Sequence, residues 1–299
     1  MDTIKRAYLQ LHFAILLWGF TAILGDLIQL SAFWLVWWRV GLASLGLAMV
    51  PSIWSHIRVL SRSMLFKFFG IGVLIALHWL TFFGAIKYAN ASITLVALST
   101  TAFFTSFIEP LFFRVRLRRL DVFFGIAVIP GMMLIASDLS GDMLLGFGVG
   151  LISAFLSALF AVLNKKMVDE VEPRTITFLE LFSSWLFLTL MIPLVWSGSV
   201  EWIPARMDWV YLVVLAFICT NWAFTLHLRA LKFISAFTAN LIINLEPVYG
   251  IALAALILKD YQDVNPSFYL GVLMVIACVV AYPIVIKRQR RSTAAVGTG

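Results

Sequence analysis

The feature that most constrains this chain is the alternation of ten apolar stretches with short loops, lysine and arginine gathering in every second loop. Helix of roughly 20 apolar residues crosses the ~30 Å hydrocarbon core of a bilayer. Such stretches lie near residues 7–28, 32–51, 67–87, 91–113, 121–137, 144–164, 175–196, 208–230, 235–257 and 267–286. They consume most of the 299 residues, so no connection can hold a soluble domain and any recognition must occur among the helices. With 62% hydrophobic and 12% charged residues, the chain lacks the polar surface to cover a soluble globule of this size. The expected fold is all-α and integral to the membrane, with ten transmembrane helices.

The basic residues set an orientation. Of the 22 lysines and arginines, 18 fall on the side that holds both termini, from Lys5 and Arg6 to Arg290 and Arg291. The opposite side receives Lys87, Arg206 and Lys259, and Arg39 lies within a span. Basic loops stay in the cytoplasm, so both termini are expected there. The net charge of +7 then faces anionic lipid headgroups of the bilayer. A nucleic-acid partner is not expected, because scattered loops offer no clustered basic face with stacking aromatics. The first stretch is too long for the apolar core of a signal peptide and is read as a retained helix. Cys219 and Cys278 each lie inside a span, which implies neither a disulfide framework nor a thiolate metal site.

An internal repeat underlies the stretches. Ala85-Ile86-Lys87-Tyr88 reads against Ala230-Leu231-Lys232-Phe233, and the register runs without a gap until Arg114 meets Lys259. Phe20 to Leu24 reads against Phe160 to Asn164, and Pro51 against Pro193. Each half holds five spans, an odd number, so the second copy enters the membrane from the other side. The expected organisation is residues 1–139 and 140–288 as inverted five-helix repeats, with 289–299 as a cytoplasmic tail. Inverted halves can exchange conformations and open a midplane cavity to either side in turn, which favours transport by alternating access.

The segment Ala236 to Asp260, with Asn244-Leu245-Glu246-Pro247 followed by Leu258-Lys259-Asp260, and the Ala-x-Lys-[Tyr/Phe] sequence in both halves resemble the EamA branch of the drug/metabolite transporter superfamily. The resemblance spans roughly residues 8–286. It departs where Thr101-Ala102 stands against Glu246-Pro247 and where Lys259-Asp260 replaces a common Gly-Glu. The resemblance implies a basket-like fold of ten helices in a bacterial inner membrane. It further implies export of amino acids and related small metabolites, in the manner of the aromatic amino acid exporters.

Depth along each helix, at 1.5 Å per residue, selects the residues for a central cavity. They are Trp18, Thr21, His78, Trp79, Ser99, Thr100, Thr101, Phe160, Asn164, Asn221, Trp222 and Asn244. Polar groups in hydrocarbon face protein or water, and hydroxyl, amide and imidazole groups beside large rings suit a zwitterion with a bulky apolar side chain. For each polar residue the alternative is a bond to a neighbouring helix or its own backbone; for the tryptophans it is packing. Glu246 is the carboxylate placed nearest the midplane, and Glu246 and His78 are candidate proton-coupling residues. The alternative for Glu246 is a structural role beside the backbone disturbed by Pro247.

Arg39 and Glu180 occupy corresponding repeat positions but differ in depth by on the order of 10 Å. Arg39 is therefore expected to snorkel outward and Glu180 to face protein or an inner vestibule near Lys165 or Lys166. Trp37, Trp38, Trp202 and Trp209 are expected at the interface. Gly146, Gly150, Ala154 and Ala158 form a small-residue stripe for close helix packing rather than part of a nucleotide loop. Pro110, Pro130, Pro247 and Pro283 are candidate flexing points. His12, His56, His78 and His227 show no metal-ligand spacing, so no metal or cofactor is expected, and no paired-carboxylate or Ser-His-Asp order points to an enzyme. A multidrug or nucleotide-sugar carrier is the main alternative, with an intramembrane enzyme or a scaffold behind it. A monomer or weak homodimer is expected.

Overall fold

The computed structural model describes residues 3–89, 91–135, 143–195, 202–246, 248–249 and 266–296. Every element among them is helical: α1 Thr3–Leu27, α2 Ala32–Ala48, α3 Pro51–Arg58, α4 Arg62–Tyr88, α5 Ala91–Ser99, α6 Thr101–Phe113 and α7 Arg119–Ile135. Then come α8 Met143–Met167, α9 Pro173–Val195, α10 Arg206–Ala216, a π-helical turn over Phe217–Trp222, α11 Ala223–Leu231, α12 Ala236–Ile243 and α13 Pro266–Val296. Seven helical stretches are long and apolar enough to cross a membrane, and α2 with α3, bent by 87°, makes an eighth if counted as one span. The expected fifth span is the helix α7; the ninth begins as α12. Pro247, the Leu258-Lys259-Asp260 sequence and the division at residues 139 and 140 lie outside the described residues.

Local chemistry sets the helix ends. Ser61 and Ser235 accept the amides of Met64 at 3.2 Å and Thr238 at 3.1 Å, filling donors that the first turns of α4 and α12 leave open. Pro51 and Pro173 stand at first helical positions, where a missing N–H costs nothing. Glu172 accepts the amides of Arg174 at 2.8 Å and Thr175 at 3.1 Å at the start of α9. Arg114 ends α6 in the left-handed region, at φ 52°.

The core forms where α4 packs along α8 and α9, α13 along α7, α1 along α11 and α2 along α9. Small residues allow the closest approaches. A Cβ on Gly72 would lie 2.5 Å from the Glu180 carbonyl oxygen, and one on Gly150 would lie 2.6 Å from the Ala97 Cβ. Ala154 and Ala158 of the same stripe are fully buried. Ser184 fastens the first of these contacts by donating to the Gly72 carbonyl at 2.6 Å.

Three spans are irregular at mid-length. Between α5 and α6 the helix breaks at Thr100, and α12 gives way to a turn at Asn244 and Leu245. The π-helical turn interrupts α10 and α11. Pro110 and Pro130 lie inside α6 and α7, and Pro283 inside α13. Trp38 donates to the Trp202 carbonyl at 2.8 Å and stacks on its ring, while Trp37 donates to Thr189 at 3.0 Å. Of the tryptophans expected at the interface, Trp37 thus bonds α2 to α9, and Trp38 bonds α2 to the segment before α10.

Candidate functional site: a charged cavity among aromatic rings

At the centre lies a cavity of about 60 Å³. Trp18 and Thr21 reach it from α1, His78, Trp79 and Phe82 from α4, and Phe160 from α8. The far wall holds Thr220 from the π-helical turn, Phe224 and His227 from α11, and Asn240 from α12, with Glu246 beyond the α12 break. Arg39 completes the lining from α2.

Arg39 departs from expectation: it does not snorkel outward but is buried, 1% exposed. Its Nε donates to Thr220 Oγ1 at 2.7 Å, and its guanidinium carbon sits 4.1 Å from the Trp79 ring centroid and 5.7 Å from that of Phe83. Such cation–π contacts strengthen when water is excluded. Thr220 accepts from Arg39 because its own hydroxyl proton goes to the Leu215 carbonyl, 2.7 Å away across the wide turn. Glu246 faces the same cavity. A guanidinium and a carboxyl group thus line one buried chamber.

Two imidazoles complete the polar set. His78 Nδ1 lies 3.0 Å from the Ser153 carbonyl and 2.9 Å from its hydroxyl, which locks the ring beside Phe160. His227 is buried with neither ring nitrogen bonded, its ring 5.2 Å from that of Trp18. Asn240 donates to Thr105 at 2.7 Å and keeps an unbonded Oδ1.

Of the residues selected by depth, Trp18, Thr21, His78, Trp79 and Phe160 come together here with Glu246. Ser99 and Asn244 line a neighbouring space of about 10 Å³ that shares Leu98, Ile243 and Glu246 with the main cavity. Thr100 and Thr101 instead bond back to the Ala97 and Leu98 carbonyls, both at 2.6 Å. Asn164 donates to Glu180 at 3.2 Å, Asn221 to the Ala43 carbonyl at 3.0 Å, and neither lines the cavity. Trp222 points outward, 51% exposed, and meets Phe13 edge to face. Glu180 faces protein as expected, but its bonded partner is Asn164 rather than a lysine.

Arg39, Thr220, His227 and Asn240 were absent from the depth selection. For Arg39 the signal was present, since an ionisable residue inside a span faces the bundle interior by default.

Four side chains tie the two ends of the molecule to backbone. At one end Glu109 accepts the amides of Ala236 at 3.0 Å and Phe237 at 2.8 Å, and Lys165 donates to the Leu231 and Lys232 carbonyls. At the other, Lys87 donates to the Gly25 carbonyl at 3.5 Å and that of Ile28 at 3.3 Å. Asp208 there accepts the amides of Gln29 at 3.4 Å and Ala205 at 3.3 Å. Among the described residues, no group of three His, Cys, Asp or Glu side chains is placed to hold a metal.

A bundle with helices of membrane-crossing length around a ring-lined cavity is the architecture of a membrane carrier, and the comparisons with known proteins agree. The chain belongs to the EamA-like transporter family, which matches residues 5–137 and 144–284, and with it to the drug/metabolite transporters. It is similar to an uncharacterized transporter of Bacillus subtilis (strain 168), YxxF, at 25% identity over 238 residues, 76% of this chain and 72% of that one. A crystal structure of another protein matches its fold with a TM-score of 0.76 at 14% identity, over 95% of this chain and 98% of that chain. The protein is therefore a multi-pass membrane transporter.

Proposed function

We propose that the protein exports amino acids, chiefly aromatic and other apolar ones, and related small metabolites across a bacterial inner membrane. The observation that carries this reading is the central cavity, whose lining holds both Arg39 and Glu246 among Trp18, Trp79, Phe82, Phe160 and Phe224. A zwitterion with an apolar side chain presents the complementary charges and surface. A sugar nucleotide carries several negative charges and would meet one arginine here.

Transport proceeds by alternating access between two inverted five-helix halves, 1–139 and 140–288, ten spans in all, with both termini and the 289–299 tail in the cytoplasm. Two features support the halves. The family matches the chain as two successive stretches, and the breaks at Thr100 and at Asn244-Leu245 fall at equivalent places in the repeat register that aligns Ala85 with Ala230. Broken helices at mid-membrane are where carriers place their sites. Glu246 and His78 are the candidate proton-coupling groups, and the working unit is a monomer or weak homodimer.

The test is efflux from proteoliposomes loaded with labelled phenylalanine, methionine, threonine or a nucleotide sugar, with and without a pH gradient. Phenylalanine leaves fastest, and Trp79→Ala slows it by roughly tenfold, as the loss of an aromatic and cation–π contact of 1–2 kcal/mol requires. Flux of the nucleotide sugar alone would replace the amino acid reading.

A further inference from the structure

The least satisfied strong donor at the cavity belongs to Arg39. Its Nη1 is buried without a partner, although Nε is held by Thr220 and one face lies on Trp79. Glu246 lines the same cavity but does not bond that donor. A buried guanidinium with an open donor is costly, and the group that satisfies it best is a carboxylate, which matches the planar fork with charge-assisted bonds. Neighbouring groups on the lining are likewise unfilled: both His227 nitrogens and the Asn240 Oδ1.

We infer that Arg39 is the carboxylate anchor of the transport site and that Thr220, set by the π-helical turn, is its positioning residue. The inference rests on the amino acid reading and adds to it a rule of recognition. The carboxylate, more than the ammonium, selects the substrate, so carboxylates with an apolar ring and no amine are ligands. The geometry fixes the fork on two sides: Thr220 Oγ1 at 2.7 Å sets its edge, and Trp79 at 4.1 Å sets its plane. The remaining edge is left to the occupant of the cavity.

The experiment compares 3-phenylpropionate, which lacks the amine, with phenethylamine, which lacks the carboxylate. Each competes with phenylalanine flux in proteoliposomes, and each is titrated by tryptophan fluorescence against the purified full-length protein. The acid is expected to bind at least about tenfold more tightly than the amine, the scale of one charge-assisted hydrogen bond. Thr220→Val raises KM for phenylalanine and weakens the acid by about three- to tenfold. It leaves kcat within about twofold and the amine unaffected, a split that general loosening of the bundle would not produce. Arg39→Lys, if it folds, weakens the acid further.

Equal or stronger binding of the amine overturns the anchor, as does a Thr220→Val effect shared by acid and amine. If phenylalanine is carried and the ranking is reversed, the amino acid reading survives and the anchor falls. If phenylalanine is not carried but 3-phenylpropionate binds in a Thr220-dependent way, the anchor stands and the amino acid reading falls. No binding of the acid in either assay removes the anchor.

Discussion

His227 spends a buried imidazole without a single bond to either nitrogen, wedged between Trp18 and Phe224. Replacing an unsatisfied polar group by an apolar one of similar shape is neutral or stabilising. His227→Phe is therefore expected to keep or raise Tm in detergent while lowering phenylalanine flux, and a fall in Tm would mean that the ring is structural. Glu246→Gln is expected to flatten the pH dependence of flux in proteoliposomes; an unchanged profile would clear it of carrying the proton. Mid-depth selection brought six residues to one cavity because polar groups at that level avoid lipid; the rings of Trp18, Trp79 and Phe160 have no such compulsion, as the outward Trp222 shows. It missed Arg39 because depth was taken from the backbone, whereas the long arginine side chain carries its charge several ångströms from Cα and here points inward, onto Trp79. It also chose Thr100 and Thr101, whose hydroxyls find carbonyls three residues back, at the end of α5, a bond that hydropathy does not distinguish from a free group.

Helices were legible because twenty apolar residues have few other folds in lipid; their interruptions were not. The π-helical turn at Phe217–Trp222 inserts about one residue into the span, and one residue is roughly 100° of rotation. The turn sets the Thr220 hydroxyl on the Leu215 carbonyl five residues back and its side chain on the cavity, while Trp222, two residues on, faces out. Deleting Ile218 should restore a plain α-helix and turn the Thr220 hydroxyl away from Arg39, seen as at least a threefold rise in KM for phenylalanine in folded protein. The bend between α2 and α3 was equally hidden, since Pro51 reads both as a span end and as a helix start. The small-residue stripe marks the opposite case, since Gly150 meets Ala97 where close packing is expected, and Gly72 shows the same closeness against α9. Gly72→Leu drives a side chain into the α9 backbone and should lower stability by 1–3 kcal/mol or more, read as a drop in Tm in detergent.

On the scale of the whole molecule, the all-helical membrane fold was readable because the alternation of apolar stretches and loops is a statistic of many residues. The contacts at the two ends were not, since they join positions as far apart as Glu109 and Phe237. Alternating access requires each end to part in turn. Paired cysteines at Glu109 and Phe237, or at Gln29 and Asp208, are expected to halt flux when oxidised and restore it when reduced; continued flux through either locked pair would refute the cycle. All four end contacts place a side chain on one element against main-chain amides or carbonyls of another. A latch of that kind has a keeper that point mutation cannot remove, because every residue but proline brings the same peptide group. In the proposed alternating-access cycle the receiving segments near Ile28, Leu231 and Ala236 are thus free to drift in sequence, and the burden of gating falls on Lys87, Glu109, Lys165 and Asp208.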